Sequence, residues 1–429
     1  MIRRVRVAGY KSLRDVRLDL RRLTIVIGPN ASGKSNLFDA LKLLSRILTS
    51  RSLIEAFGDH RGDPLEAFDF GESGISGLLR KPEVQFTIEV DVELEDDAIR
   101  RAEQQIQQYR SSEQKNSDKG KPRRIIERLL RYRIAVAMTP ETGVLRVIDE
   151  YLAALQESSK GGEVDVKVNR LPFLEKTKNR LRLRMEGQAR PTEYEVGLNY
   201  AIASQPVYPP HYPHLVAFRE EVSSWQFYYF EPRLMREENP VKEACSLTPY
   251  GGDLAAFYYT LKLKRPEQFY NLQKSLRMIV PTIESIDVEL TEEGRLRLLV
   301  REHGVNFSAK VISEGTLRLL GLLAILSPTN PAAVVGFEEP ENGVHPRRLK
   351  LIADLLKNAS RKKQIVVNSH SPLLPDYLAD DYLVECKKSD GYSVFRPLAA
   401  VGLFRRPAVE EALEEVTPVS HRILRGDWE

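Results

Sequence analysis

Eight residues near the N-terminus, Gly28-Pro29-Asn30-Ala31-Ser32-Gly33-Lys34-Ser35, restrict this chain more than any other stretch. They fit G-x-x-x-x-G-K-[ST], the pattern of a phosphate loop (Walker A). Their surroundings fit as well. Residues 23–27 are a short β-branched apolar run, the signature of a buried strand, and residues 36–48 carry Leu37, Leu41, Leu44, Ile47 and Leu48 at helical spacing. Strand, glycine-rich turn and helix is the arrangement that turns backbone N–H groups and a helix N-terminus towards a polyphosphate. Gly28 and Gly33 allow close backbone approach where a Cβ would clash. Lys34 is placed to neutralise β- and γ-phosphates and Ser35 to give a hydroxyl to Mg²⁺. The predicted nucleotide-binding residues are therefore Gly28, Pro29, Asn30, Ala31, Ser32, Gly33, Lys34, Ser35 and the following Asn36.

Composition narrows the class further. The chain has 429 residues, enough for two or three domains' worth of core. Its net charge of +4 is too slight to argue for nucleic acid by itself. Cys245 and Cys386 are its two cysteines, which excludes a disulfide framework or a cysteine-based zinc site and suits a reducing compartment. Neither a signal-peptide core nor an apolar run of membrane-spanning length is visible, so a cytoplasmic protein without a membrane partner is expected.

Alternation of apolar and charged residues over 1–27 and 84–94 predicts strands of a half-exposed sheet. Residues 51–82 read as loop with short helix. A polar stretch follows, read as an exposed helix over 98–109 and then a linker to 124, with a second loop over 157–162. Strands are predicted over 131–138, 164–168, 181–185 and 194–198, and a rigid Pro- and Tyr-rich loop over 205–214. From residue 251 two helices, a strand meander, an apolar helix over 315–326, buried strands over 332–337 and 364–368, a helix over 347–358 and a closing hairpin are expected, then an acidic helical piece over 410–415. The predicted division is residues 1–95 and 216–400 as two halves of one α/β domain, 96–215 as a mixed α and β insertion, and 401–429 as a tail. Neither an internal repeat nor a long heptad array is present.

Three further motifs complete a site. Ala332-Ala333-Val334-Val335-Gly336-Phe337-Glu338-Glu339 is an apolar strand ending in paired carboxylates, the form of a Walker B segment. Glu338 would serve the metal and Glu339 would polarise the attacking water. Ser313-Glu314-Gly315-Thr316 opens a helix with a hydroxyl and N–H donors, and would equally make an ordinary N-cap. Asn368-Ser369-His370-Ser371-Pro372 ends the next strand and would set a histidine near a γ-phosphate.

In that order the motifs resemble the ABC-type ATPases. More narrowly they are similar to the SMC/RecF-like branch that includes the OLD (overcoming lysogenization defect) family and its stand-alone relatives. The resemblance covers the two ends of the chain, Ile2 to Leu44 and Gly251 to Pro397, and does not extend to the middle. It implies a P-loop NTPase fold: an ABC-ATPase head with a mixed sheet, flanking helices and an α+β insertion. It implies ATP and Mg²⁺ as ligands, phosphate and metal at Lys34 and Ser35, metal at Glu338, catalytic roles for Glu339, His370 and Lys34, and a D-loop made of Asn342, Gly343 and His345. Ser313 and Gly315 would contact the γ-phosphate of a partner subunit's ATP, so a homodimer or higher homo-oligomer follows. Glu338 stands where the family has Asp, and no Q-loop glutamine is evident, Gln85 being inside a predicted strand.

Two tasks fit such a head. One is a regulatory ATPase that controls a separate effector protein, a nuclease or toxin, as in anti-phage defence. Residues 383–390 superficially resemble a Toprim opening, but no Asp-x-Asp follows, so no nuclease is inferred in this chain. The other is a DNA repair or recombination ATPase that clamps DNA. Its support is the basic stretches Arg3, Arg4 and Arg6; Arg123, Arg124, Arg128, Arg131 and Arg133; and Lys178, Arg180, Arg182 and Arg184. A transporter ATPase is weaker, because the signature differs and the insertion has no place there. His211 and His214 read as parts of a structural loop, not a metal pair, and Trp225, Tyr228, Tyr229 and Phe230 as core.

Overall fold

The computed structural model describes residues 1–71, 73–113, 125–158, 164–187 and 190–400. They fall into two compact units: residues 1–21, 31–225 and 387–395 in one, and residues 22–30, 226–386 and those from Arg396 in the other. The linker over 114–124 with Arg123 and Arg124, most of the expected loop over 157–162, and the tail 401–429 with its acidic segment lie outside the described residues.

The chain opens with β1 (Ile2–Tyr10), β2 (Leu13–Asp19) and β3 (Leu23–Ile27). In the first unit an antiparallel sheet is completed by β4 (Val84–Glu93), β5 (Leu129–Thr139), β6 (Val144–Glu157), β7 (Val164–Val166), β8 (Leu174–Thr177), β9 (Arg180–Leu183) and β10 (Thr192–Glu195). Its order is β10-β9-β8-β6-β5-β4-β1-β2, with β7 pairing β6. The strands of residues 129–195 thus continue the sheet begun at the N-terminus. Val84, Phe86, Ile88 and Val90 are buried while Gln85 between them is exposed, the alternation of a sheet with one wet face.

Of the elements that depart from expectation, two have a clear physical reason. The strand β6 was not predicted, and a bulge explains why. Val136 pairs with Val147 but Ala135 pairs with Asp149, so Ile148 is extra. The buried positions change from Leu145 and Val147 to Glu150, Leu152 and Ala154, which breaks the period-2 pattern and puts a carboxylate inside. The segment expected as a loop up to residue 214 passes instead into a helix, Pro213–Ser223, with proline at its first turn.

The second unit is built on a parallel sheet. β11 (Trp225–Tyr228) flanks β16 (Val334–Glu338), and the order continues through β17 (Gln364–Ser369), β3 and β18 (Leu383–Ser389). All five residues of β3 and all six of β17 are buried. A parallel strand covered on both faces needs a continuous apolar run, as these sequences have. Ile25, Ile27, Val335, Phe337, Ile365 and Val367 meet the helices Leu254–Lys264, Pro266–Ile279 and Glu314–Leu326 in one core. The last helix is apolar nearly all round because it is buried nearly all round. β12 (Asn239–Pro240), β13 (Ile283–Leu290), β14 (Arg295–Glu302) and β15 (Val305–Ser308) form a small antiparallel sheet beside that core. After β18 the chain turns at Asp390 and Gly391 into β19 (Tyr392–Pro397).

Candidate functional site

β3 delivers the phosphate loop. Pro29, Asn30 and Ala31 form its exposed tip, and Ala31 and Gly33 take left-handed backbone at φ +62° and +99°. Gly33 caps the helix Lys34–Thr49 without any side-chain cap, and Asn36 N–H returns to Gly33 C=O at 3.1 Å. The loop is braced by residues far away in sequence. The Asn36 amide donates to Ser12 Oγ at 2.7 Å. Ser12 Oγ lies 2.6 Å from Ser393 Oγ, and Ser393 donates to Ser32 C=O at 2.7 Å. Since the Ser393 proton is committed to that carbonyl, Ser12 donates to Ser393, and the three bonds run in one direction. A Cβ on Gly33 would sit 1.9 Å from Ser393 Oγ and 2.7 Å from Ser12 Oγ, so this position has no room for a side chain.

The carboxylates cluster at the carboxyl end of the parallel sheet. Glu338, Asn368 and Val26 lie in one register row across β16, β17 and β3; Ser369 and Ile27 make the next. The chain leaves β16 at Glu339, whose φ of +57° is left-handed. That conformation costs a non-glycine residue about 1–2 kcal/mol. It is held by Glu339 N–H to Asn368 C=O at 2.8 Å and Asn342 N–H to Glu339 C=O at 3.1 Å. The Glu339 carboxylate accepts from the Asn342 amide at one oxygen and lies 3.1 Å from His370 Nδ1 at the other. It is 36% exposed, so it is open to water while fixed on two sides. Glu341, two residues on, ties this turn to the histidine. Its Oε1 accepts from Ser369 Oγ at 2.6 Å, His370 N–H at 3.2 Å and Ser371 N–H at 3.1 Å.

Ser313 caps the helix Glu314–Leu326, accepting from Thr316 N–H at 3.2 Å. Its helix start touches the carboxylate turn through two glycines: a Cβ on Gly315 would be 2.3 Å from Gly343 O, and one on Gly343 would be 2.3 Å from Gly315 Cα. Gly343 is also left-handed, at φ +78°. His345 takes a lesser place, accepting from Arg347 N–H at 3.3 Å at the start of a short 3-10 turn.

The structure thus brings Glu338, Glu339, Asn342 and His370 to one sheet edge, and joins Ser313 and Gly315 to the same turn through Gly343. Gln85 lies exposed in β4. Four residues received no role in the sequence reading: Ser12, Ser393, Glu341 and Asn368. The first two carry no local signal. Glu341 is the third carboxylate of a run already singled out, and Asn368 is a polar residue within a buried strand.

His214 is structural. Its Nε2 accepts the backbone N–H groups of Ile126 and Glu127 at 3.2 and 3.1 Å, so its proton is on Nδ1, 2.7 Å from Glu186. Trp225, Tyr228 and Phe230 are buried, whereas Tyr229 is 48% exposed. Among the described residues there is no cluster of three or more His, Cys, Asp or Glu able to hold a metal, and no helix is long and apolar enough to cross a membrane.

Solved structures with the same fold include Smc heads. A crystal structure of the SmcHead bound to the C-winged helix domain of ScpA matches with a TM-score of 0.53 at 14% identity, covering 92% of this chain and 96% of that one. An Smc head with an extended coiled coil bound to the C-terminal domain of ScpA, derived from Pyrococcus furiosus, matches with a TM-score of 0.52 at 13% identity, covering 94% and 98%. At such identities the likeness concerns the fold. No curated protein matches the sequence. The sequence profile of the family described as "AAA domain, putative AbiEii toxin, Type IV TA system" matches residues 23–376. That span holds the phosphate loop, the Ser313–Thr316 segment, the carboxylate strand and the His370 segment, and the chain belongs to this AAA-domain family.

Proposed function

We propose that the chain binds and hydrolyses ATP with Mg²⁺ at the carboxyl edge of its parallel sheet, and that ATP-bridged pairing of two such heads regulates a separate effector protein. The observation that carries this reading is the posture of Glu339: left-handed, water-exposed, and gripped by Asn342 and His370. A carboxylate so fixed is oriented to accept a proton from water.

The residues fit the ligands. Gly28 to Asn36 supply glycine backbone, Lys34 and a helix start without a side-chain cap, which suits a polyphosphate. Ser35 and Glu338 each carry a hard oxygen donor of the kind Mg²⁺ takes. Mg²⁺, when bound, neutralises phosphate charge as the γ-phosphoryl group leaves. Lys34 shares that task, Glu339 orients and deprotonates the water, and His370 steadies Glu339. Ser313 and Gly315 face a second head, so each site is completed by two protomers. The family description, with its mention of a toxin system, favours an effector in anti-phage defence. The partner surface is assigned to residues 96–215.

The DNA-clamp reading has less behind it. Nine arginines of the basic stretches are each paired with a carboxylate: Arg3 with Glu93, Arg4 with Asp19, Arg6 with Asp15, Arg128 with Asp96, Arg131 with Asp91, Arg133 with Asp149, Arg180 and Arg182 with Glu193, and Arg184 with Glu175.

The test is particle mass in solution with and without ATP·Mg²⁺, for wild type and Glu339→Gln. Conversion of monomer to dimer by ATP, persisting in the variant, is the expected result. A mass that ignores ATP removes the pairing mechanism. A salt-sensitive shift on adding DNA would restore the clamp.

A further inference from the structure

Asn368 is 2% exposed, and neither its Oδ1 nor its Nδ2 has a hydrogen-bond partner. Other asparagines buried in the same unit are satisfied. Asn330 donates to Ile325 C=O and Tyr228 Oη and accepts from Ala332 N–H. Asn239 accepts from Ala256 N–H. A carboxamide sealed from water without partners is costly, and a strand interior would be served better by valine or leucine.

Its location suggests what the amide is for. Neighbours in one register row point to the same face of a sheet. Ile365 and Val367 face the apolar core, so Asn368 faces the other way, beside Glu338 on β16 and Val26 on β3. Val26 stands two residues before Gly28, and the Asn368 carbonyl holds Glu339 N–H at 2.8 Å. One residue thus fixes the backbone of the proposed base and sets a neutral amide next to the proposed metal-side carboxylate. A second carboxylate there would add like charge. An amide has an acceptor for a metal-bound water and a donor for a phosphate oxygen.

We propose that Asn368 is a positioning residue for Mg²⁺·ATP, linking the hydration shell of the metal beside Glu338 to the nucleotide. The inference rests on the proposed ATP and Mg²⁺ reading of the site.

The test replaces Asn368 by leucine, which keeps its shape and removes both polar atoms, and follows two quantities that need no turnover. One is the melting temperature of the nucleotide-free protein. The other is ATP affinity with Mg²⁺ and with EDTA. The expected melting temperature is equal to or above wild type, because an unpaired buried amide has gone. The expected affinity is unchanged in EDTA, with the gain from Mg²⁺ reduced about 10- to 100-fold, the usual effect of losing an outer-shell partner. A lower melting temperature together with a wild-type gain from Mg²⁺ overturns the proposal and makes Asn368 structural. If Asn368→Leu does not fold, Asn368→Val carries the same expectations. Wild type that binds no ATP, or gains nothing from Mg²⁺, overturns the underlying reading, and this inference with it.

Discussion

In the antiparallel sheet of the first unit, charged side chains answer one another. Arg131 is held by Asp91, Arg133 by Asp149, and Glu193 takes both Arg180 and Arg182. In the parallel sheet of the second unit, the strand interiors are apolar and polar groups gather at one end. There Glu339, Glu341, Asn342 and His370 hold each other while the Asn368 side-chain amide has no partner. A sheet whose charged side chains are largely paired with one another has little left to offer a ligand. A sheet that concentrates unmatched polar groups at its strand ends has kept binding capacity in one place. The difference locates function more sharply than net charge does.

The comparison can be broken most directly at Glu339. Glu339→Gln keeps the shape and removes the base, so phosphate release should fall about 100- to 10,000-fold with ATP retention intact. An unchanged rate would move the chemistry away from this edge. Next in size is Gly343→Ala. With Gly315 Cα at 2.3 Å and φ at +78°, the added Cβ has no relaxed place, and unfolding in urea should show a loss of about 2–4 kcal/mol. A neutral outcome would mean that the two turns are not in contact.

Glu150 sharpens the comparison from the other unit. It is fully buried and accepts from Tyr132 Oη at 2.8 Å, Ala203 N–H at 2.9 Å and Ile202 N–H at 2.7 Å. Burial outweighs those donors and raises its pKa from 4.5 to about 7. The folded protein therefore binds a proton that the unfolded chain has released between those values. The contribution of this group to stability is present at the acid end and is lost as pH rises through about 7, by roughly 3 kcal/mol. The difference in unfolding free energy between wild type and Glu150→Gln should carry that slope; a flat difference would contradict it. The smallest effect is expected for Arg180→Ala. Its partner Glu193 is shared with Arg182, the pair is exposed, and the change should leave the unfolding midpoint close to wild type. It should not alter retention on DNA at low salt, and a clear loss there would reopen the arginines as a binding face.

The sequence made the parallel sheet largely legible. Continuous apolar runs at Leu23–Ile27, Val334–Glu338 and Gln364–Ser369 each end in a residue with visible chemistry nearby. The antiparallel sheet was legible where alternation was unbroken, as in β4, and not where the bulge at Ile148 shifted the pattern. The helix Pro213–Ser223 was hidden behind its prolines, and burial on most of its faces left little amphipathic signal. In the site, motif residues could be named but not their supports. Ser12 and Ser393 are serines like any others in the sequence. Only the fold places their hydroxyls against Gly33, and nothing local encodes a contact 381 residues long.

That contact has a consequence for how the protein comes into being. Synthesis runs from the N-terminus, and Gly28 to Ser35 are made early. Ser393, which holds Ser32 C=O, is made 361 residues later. The strand that flanks β3, β17, also follows it by hundreds of residues. A nascent chain therefore carries the phosphate-loop sequence long before it carries the braced loop. Ribosome-bound chains stopped before residue 364 should retain no ATP, and retention should begin only once β17 and β19 have emerged. Nucleotide capture would then mark the end of folding, and a half-made head would be silent.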